Sequence, residues 1–247
     1  MVTELVILSP VILLYYFKFI SVNTLIVFFF ILYWLPKPLV ISLLEFLAPY
    51  VATRNTASTN IALTFDDVPY GNHRDIIQLL DKYGHKGTLF VISGDVNDTV
   101  FEDLVMAVRN GHQLGNHGKT NSMHALKSSH ALAEEVKHCD ALITKIYNVA
   151  GIPLPSKMYY RPGCGAFHGK MRKIVEDMGY RIALGSVYPN DPVVRSSILN
   201  YYYVNAHVEA GDIVILHDRK WTPYMLNKLL YKLNDSGLRS VTLDSLL

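Results

Sequence analysis

Asp66 and Asp67 close the apolar run Ile61-Ala62-Leu63-Thr64-Phe65, and His117, Arg161 and His217 stand at the ends of three other apolar runs. Two neighbouring carboxylates after a strand can divide labour: one grips a divalent cation while the other takes a proton from water. A solvated Asp-Asp turn or a helix N-cap is the plain alternative for such a pair. In the segment Gly111–His124 a helical turn after His117 would bring positions i, i+4 and i+7 to one face. His117 could then pair with Asn121 or His124 at a metal, and imidazole with carboxylate suits zinc or a similar ion. The planar fork of Arg161 suits holding a carboxylate in one orientation. His217 can serve as a general acid, its pKa adjusted by a nearby Asp such as Asp218 or Asp191. Each residue alone is more often structural. Together, at four strand ends, they point to a hydrolytic site around one metal ion, because barrels place their chemistry at the C-terminal rim of the strands.

The elements that must position these residues are legible as an alternation. Short apolar runs lie at Ile61–Phe65, Thr88–Ile92, Gln113–Asn116, Met158–Tyr160, Arg181–Gly185, Ile213–Leu216 and Ser240–Leu243. Helical spacing lies between most of them. Met171, Ile174, Val175 and Met178 precede a stop at Gly179; Met225, Leu226, Leu229, Leu230 and Leu233 precede Gly237. Leu132, Val136, Cys139, Leu142, Ile143 and Ile146 predict a longer helix starting near Ser128 or Ser129. Strand–helix alternation predicts an α/β fold with a mainly parallel sheet. About seven units is few for a full eight-unit barrel, so a distorted or incomplete barrel is expected. An open doubly wound sheet is the alternative, but Asp66-Asp67-Val68-Pro69-Tyr70-Gly71 lacks the glycine-rich pyrophosphate turn.

The 247 residues suffice for one α/β domain plus an accessory segment. Half of them are hydrophobic, and the excess is local. Phe19–Leu35 is uncharged, ends in Tyr33-Trp34-Leu35-Pro36 and is followed by Lys37. That length and those flanks predict a transmembrane helix over about 19–35. Residues 1–50 are therefore expected to form a membrane-associated segment, 51–60 a polar linker and 61–247 the catalytic domain. A net charge of +2 without a basic stripe gives no reason to expect nucleic acid. Cys139 and Cys164, the only cysteines, could form at most one bridge and no thiolate metal site.

With these residues in view, the chain resembles the polysaccharide deacetylases of the chitooligosaccharide deacetylase (NodB-homology) type, a carbohydrate esterase family. Leu63-Thr64-Phe65-Asp66-Asp67 with Pro69 matches its Thr-Phe-Asp-Asp motif, and Gly115-Asn116-His117 the start of its His motif. Arg161-Pro162 with Gly165 matches its Arg-Pro motif, and Ile215-Leu216-His217 its Leu-x-His motif. Arg161-Pro162-Gly163, Gly185–Pro192 and Leu216-His217-Asp218-Arg219 look most like a branch found in fungi and other eukaryotes.

The resemblance implies a distorted (β/α)7 barrel that removes N-acetyl groups from chitin-like or other amino-sugar polymers. It implies a divalent metal, Zn²⁺ or Co²⁺, on Asp67 and His117, with Asp66 as base, Arg161 orienting Asp66, and His217 protonating the departing amine. With the hydrophobic N-terminus, it implies a membrane-anchored enzyme whose catalytic domain is extracytoplasmic or in the secretory pathway. Two departures stand out. Val68 replaces the glycine after the Asp pair, and a β-branched residue resists positive φ. Asn121 stands where the second metal histidine is expected, with His124 three residues on as a possible substitute. A carbohydrate-binding protein that lost turnover, or a hydrolase of another N-acyl compound, are the competing readings. Tyr159, Tyr160, Phe167, Tyr188 and Trp221 could line a sugar-stacking groove.

Overall fold

The computed structural model describes Thr24 and residues 37–247. The chain divides into two compact units, Met1–Leu43 and Leu44–Leu247. Apart from Thr24, the expected transmembrane helix over about 19–35 lies outside the described residues, and no described helix is long and apolar enough to cross a membrane. Helix α1 is Lys37–Leu47.

Six strands form one parallel sheet among the described residues: β1 Ala62–Val68, β2 Gly87–Val91, β3 Gln113–Asn116, β4 Met158–Tyr160, β5 Tyr180–Ile182 and β6 Ile213–His217. The spatial order is β5-β4-β3-β2-β1-β6. Consecutive strands are neighbours and the last returns beside the first. The bridges Ala52–Ala183, Arg54–Asp212 and Val187–Val214 link the β5 and β6 edges, as in a sheet curled into a partial barrel rather than an open doubly wound one.

Side-chain alternation sorts each strand into two faces. Leu63, Phe65, Leu89, Val91, Leu114, Val214 and Leu216 join the main core with helical side chains such as Ile76, Leu80, Leu104, Ile143, Leu226 and Leu230. The opposite set, Ala62, Phe90, Tyr159, Ala183 and Ile213, packs in a separate interior cluster. The outer face is covered by α2 His73–Lys82, α3 Asp98–Arg109, α4 Ser129–Ala150, α5 Gly169–Asp177, α6 Ser197–His207 and α7 Thr222–Ser236. The helix signals read from sequence are met at their ends. Ser128 caps α4 by accepting from the Ala131 N–H at 3.2 Å, and Gly237 ends α7 in the left-handed conformation at φ 75°.

Two stretches depart from expectation. Residues 51–60 were expected to be a linker, but Val51, Ala52 and Thr53 are buried. Ala52 bridges Ala183 and Arg54 bridges Asp212, on either side of the opening between β5 and β6. Small and polar residues fit here because the segment closes a sheet gap rather than spanning solvent. Ser240–Leu243 was expected as a strand, but only Ser240 bridges, to Ile61. The Thr242 hydroxyl then starts the short helix α8, Leu243–Leu246. Val187 bridges Val214 and extends the sheet past β6 by one residue. Cys139 and Cys164 are both free, the first buried and the second exposed.

Candidate active site

The strand face that carries Ala62 and Thr64 also carries Asp66, by the period of two. Asp67 should then point the opposite way. It does not, because β1 holds one extra residue here: Phe65 pairs with Leu89 and Val68 with Val91. Three steps on β1 match two on β2, which is a β-bulge. Asp67 takes the left-handed conformation at φ 59°. Both carboxylates thereby reach the same rim. Val68, expected to disturb the turn, is instead an ordinary strand residue in the main core. The positive φ falls on Asp67, a residue type that tolerates it.

Arg161 holds Asp66. It is 1% exposed, the largest fully buried side chain described. Nη1 donates to Asp66 Oδ1 at 2.7 Å and to Thr64 Oγ1 at 2.8 Å. Nε donates to the Ala183 carbonyl at 2.9 Å and Nη2 to that of Leu184 at 3.0 Å. The guanidinium lies 4.0 Å from the Phe90 ring centroid. One side chain thus ties the ends of β1 and β4 to the chain leaving β5.

His117 holds its Nδ1 2.7 Å from the Arg161 carbonyl. A carbonyl only accepts, so Nδ1 carries a proton, and Nε2 lies 3.4 Å from Asp67 Oδ1. The other two expected donors do not join them. His124 is the base of a loop: its Nε2 donates to the Thr120 carbonyl at 3.2 Å. Its Nδ1 meets the Tyr160 hydroxyl at 2.6 Å and the Gly163 N–H at 3.1 Å. Burial and the neighbouring His117 lower its pKa. Asn121 is exposed. The segment after His117 is an open loop with a single 3₁₀ turn at His124–Leu126, not the helix whose spacing would have aligned them.

His217 faces Asp66, with Nε2 4.0 Å from Oδ2. Its Nδ1 bonds Asp191 Oδ1 at 2.9 Å, and its backbone N–H donates to Oδ2 of the same residue at 2.9 Å. Asp191 is 1% exposed. Burial works against charging His217, but the Asp191 bond and the Asp66, Asp191 and Asp67 charges prevail and hold its pKa above 6.5. Asp218, the other candidate neighbour, serves a different end. Its carboxylate accepts the N–H groups of Tyr70 at 2.6 Å, Gly71 at 3.1 Å and Asn72 at 2.8 Å, and so anchors the loop after β1.

Sequence reasoning missed Arg219 and Tyr70. Arg219 Nη2 donates to Asp67 Oδ2 at 2.5 Å, and its guanidinium stacks 4.1 Å from the Tyr70 ring centroid. Burial alone would raise the Asp67 pKa, but His117, His217 and Arg219 together drive it far below the usual carboxylate range. The signal available was the charge of Arg219 two residues past His217. Of the aromatic residues expected in a groove, Tyr159 and Tyr160 are fully buried. Phe167 packs edge-on against Tyr50. Tyr188 alone of that set has its ring centroid within 5.9 Å of a catalytic candidate, His217.

Polysaccharide deacetylases generally use a divalent metal, so the donor set must be tested against one. Asp67 Oδ1 and His117 Nε2 are suitably spaced to share an ion. A catalytic zinc takes three protein donors, and no third converges here: no group of three or more His, Cys, Asp or Glu able to hold a metal occurs among the described residues. Asp67 Oδ2 is also already paired with a cation. The residues do not fit a three-donor centre.

A family model for polysaccharide deacetylase matches residues 53–183. The chain is 33% identical over 198 residues to a peptidoglycan-N-acetylglucosamine deacetylase of Bacillus cereus, covering 76% of this chain and 87% of that protein. It is 27% identical to a chitin deacetylase of Arthroderma benhamiae, covering 80% of this chain but only 54% of that protein. Among solved structures, a CE4 family pseudoenzyme from Bacillus anthracis superposes with a TM-score of 0.70 at 22% identity, covering 82% of this chain and 70% of the other, a likeness of fold. With the family model spanning the strands that carry Asp66, Asp67, His117 and Arg161, the chain belongs to the polysaccharide deacetylase family, hydrolases of the N-acetyl amide bonds of sugars.

Proposed function

We propose that this chain removes N-acetyl groups from amino-sugar polymers or oligomers of the chitin or peptidoglycan type. The observation that carries this reading is the facing pair Asp66 and His217, each fixed by its own buried partner, Arg161 and Asp191. The 4.0 Å between them leaves base and acid without a hydrogen bond to each other. Asp66 takes a proton from water as its oxygen attacks the acetyl carbonyl. His217 gives its Nε2 proton to the sugar nitrogen as the C–N bond breaks, releasing acetate and a free amine. A His held protonated above its ordinary range suits the acid role. No step here passes through Zn²⁺ or Co²⁺, for which the donor set falls short. Tyr70 is 63% and Tyr188 36% exposed, and they offer faces for sugar stacking at the rim.

The chain's place in this reading is a membrane, with the catalytic unit extracytoplasmic or in the secretory pathway. The uncharged run Phe19–Leu35 supports that placement, as do Leu39, Leu43, Phe46 and Leu47, exposed by 52–82% along one side of α1. Membrane fractionation and protease protection of the full chain test it.

Acetate release from chitooligosaccharides and peptidoglycan fragments, compared with Asp66→Asn, tests the function. The expected loss is about 10²-fold or more. A second reading, sugar binding without turnover, is favoured by the missing third metal donor. Sugar binding without acetate release, indifferent to Asp66→Asn, would establish it instead.

A further inference from the structure

We infer that the guanidinium of Arg219, rather than a metal ion, is the resident cation at the Asp67–His117 pair. Three observations meet on this point. First, Asp67 Oδ2 is already taken by Arg219, while Oδ1 lies 3.4 Å from His117 Nε2. Second, charge is closed locally without a further ion. Asp66 is paired with Arg161 and Asp67 with Arg219, one carboxylate to one guanidinium, all four at most 13% exposed. Adding a divalent ion would leave a buried surplus of positive charge, which an interior of low polarizability resists. Third, Arg219 is itself held in place. Nη1 donates to the Asp218 carbonyl at 2.9 Å, and the Tyr70 ring lies under the guanidinium. Asp218 in turn anchors the backbone N–H groups of Tyr70, Gly71 and Asn72. The loop that supplies the stacking ring is thus tied to the residue beside the arginine.

This rests on and deepens the functional reading of the same rim: the cation beside Asp67 is a side chain fixed in the fold. Arg219 is a positioning residue for Asp67. The idea is tested by binding, so its failure is separable from the failure of the deacetylase assignment. Calorimetric titration with Co²⁺ and Zn²⁺, and the visible absorption of Co²⁺, are measured on the full chain and on Arg219→Gln and Arg219→Lys.

The wild-type chain is expected to bind neither ion stoichiometrically at micromolar concentration. Arg219→Gln removes the fixed charge and is expected to gain at least about tenfold in Co²⁺ affinity. Arg219→Lys keeps a cation and is expected to stay near wild type. Sub-micromolar, one-to-one binding by the wild type overturns the proposal. So does weaker binding by Arg219→Gln, which would make Arg219 a support for a metal ligand instead. The wild-type measurement decides even if a variant does not fold.

Discussion

Arg161→Lys keeps the charge and nearly the length of the side chain, yet the structure predicts a large loss. The guanidinium makes four donations in fixed directions: to Ala183 O, Thr64 Oγ1, Asp66 Oδ1 and Leu184 O. A lysine ammonium is one point, and from the same stem it can stay with Asp66. The Ala183 and Leu184 carbonyls then lose their donors in a site where the arginine is 1% exposed. Each orphaned acceptor costs about 1–3 kcal/mol. Stacking on Phe90 adds roughly 0.5–1 kcal/mol. The sum is about 2.5–7 kcal/mol, and water entering the vacated space lowers it toward ~3 kcal/mol. With a urea slope of about 2 kcal/mol/M the midpoint should fall by roughly 1.5 M. Urea unfolding followed by tryptophan fluorescence, with near-ultraviolet dichroism as a second probe, measures it. A change below ~0.5 kcal/mol would refute the reasoning, because surface substitutions without special contacts fall in that range.

Three further outcomes follow from the same geometry. Asp191→Asn removes the carboxylate behind His217, so the imidazole pKa, read by NMR titration, should fall and the alkaline limb of activity should move to lower pH. Because the folded His217 pKa is raised, its stabilisation is complete below pH 6.5 and is lost as pH rises through the folded value. The stability gap between wild type and variant, about 1.5–3 kcal/mol at the acid end, should therefore narrow with rising pH. Gly115→Ala would place a methyl 2.6 Å from two Phe90 ring carbons. It should cost ~1–3 kcal/mol in thermal unfolding through displacement of the ring beneath Arg161. Asp218→Ala strips the partners from three N–H groups, so hydrogen exchange at Tyr70, Gly71 and Asn72 should accelerate well before the core is affected.

How much of this was written in the chain differs by residue. Asp66, Arg161 and His217 were legible because each follows an apolar run, and strand parity sends them to one face. The partner of His217 was left as Asp191 or Asp218, since both are near it in sequence or loop. Only the structure separates Asp191, on the imidazole, from Asp218, on the loop amides. Asp67 was legible as an acid but not as a bulge, because bulges depend on pairing with a strand some twenty residues away. His124 and Asn121 were aligned with His117 by assuming helical spacing. The loop instead turns on hydrogen bonds from Tyr160 and Gly163, which no local pattern announces. The segment 51–60 misled for a related reason: its composition is that of a connector, and its burial comes from partners at Ala183 and Asp212.

The extra residue in β1 has a consequence beyond geometry. Phe65 and Val68 keep their pairing partners Leu89 and Val91 two apart, so a chain lacking residue 67 would pair without any slip. Its apolar side chains would still meet the helices as before. A second acid can therefore be gained or shed at this rim by an indel of one codon, leaving the hydrophobic interior untouched. The scaffold and its two-carboxylate chemistry can evolve on separate clocks.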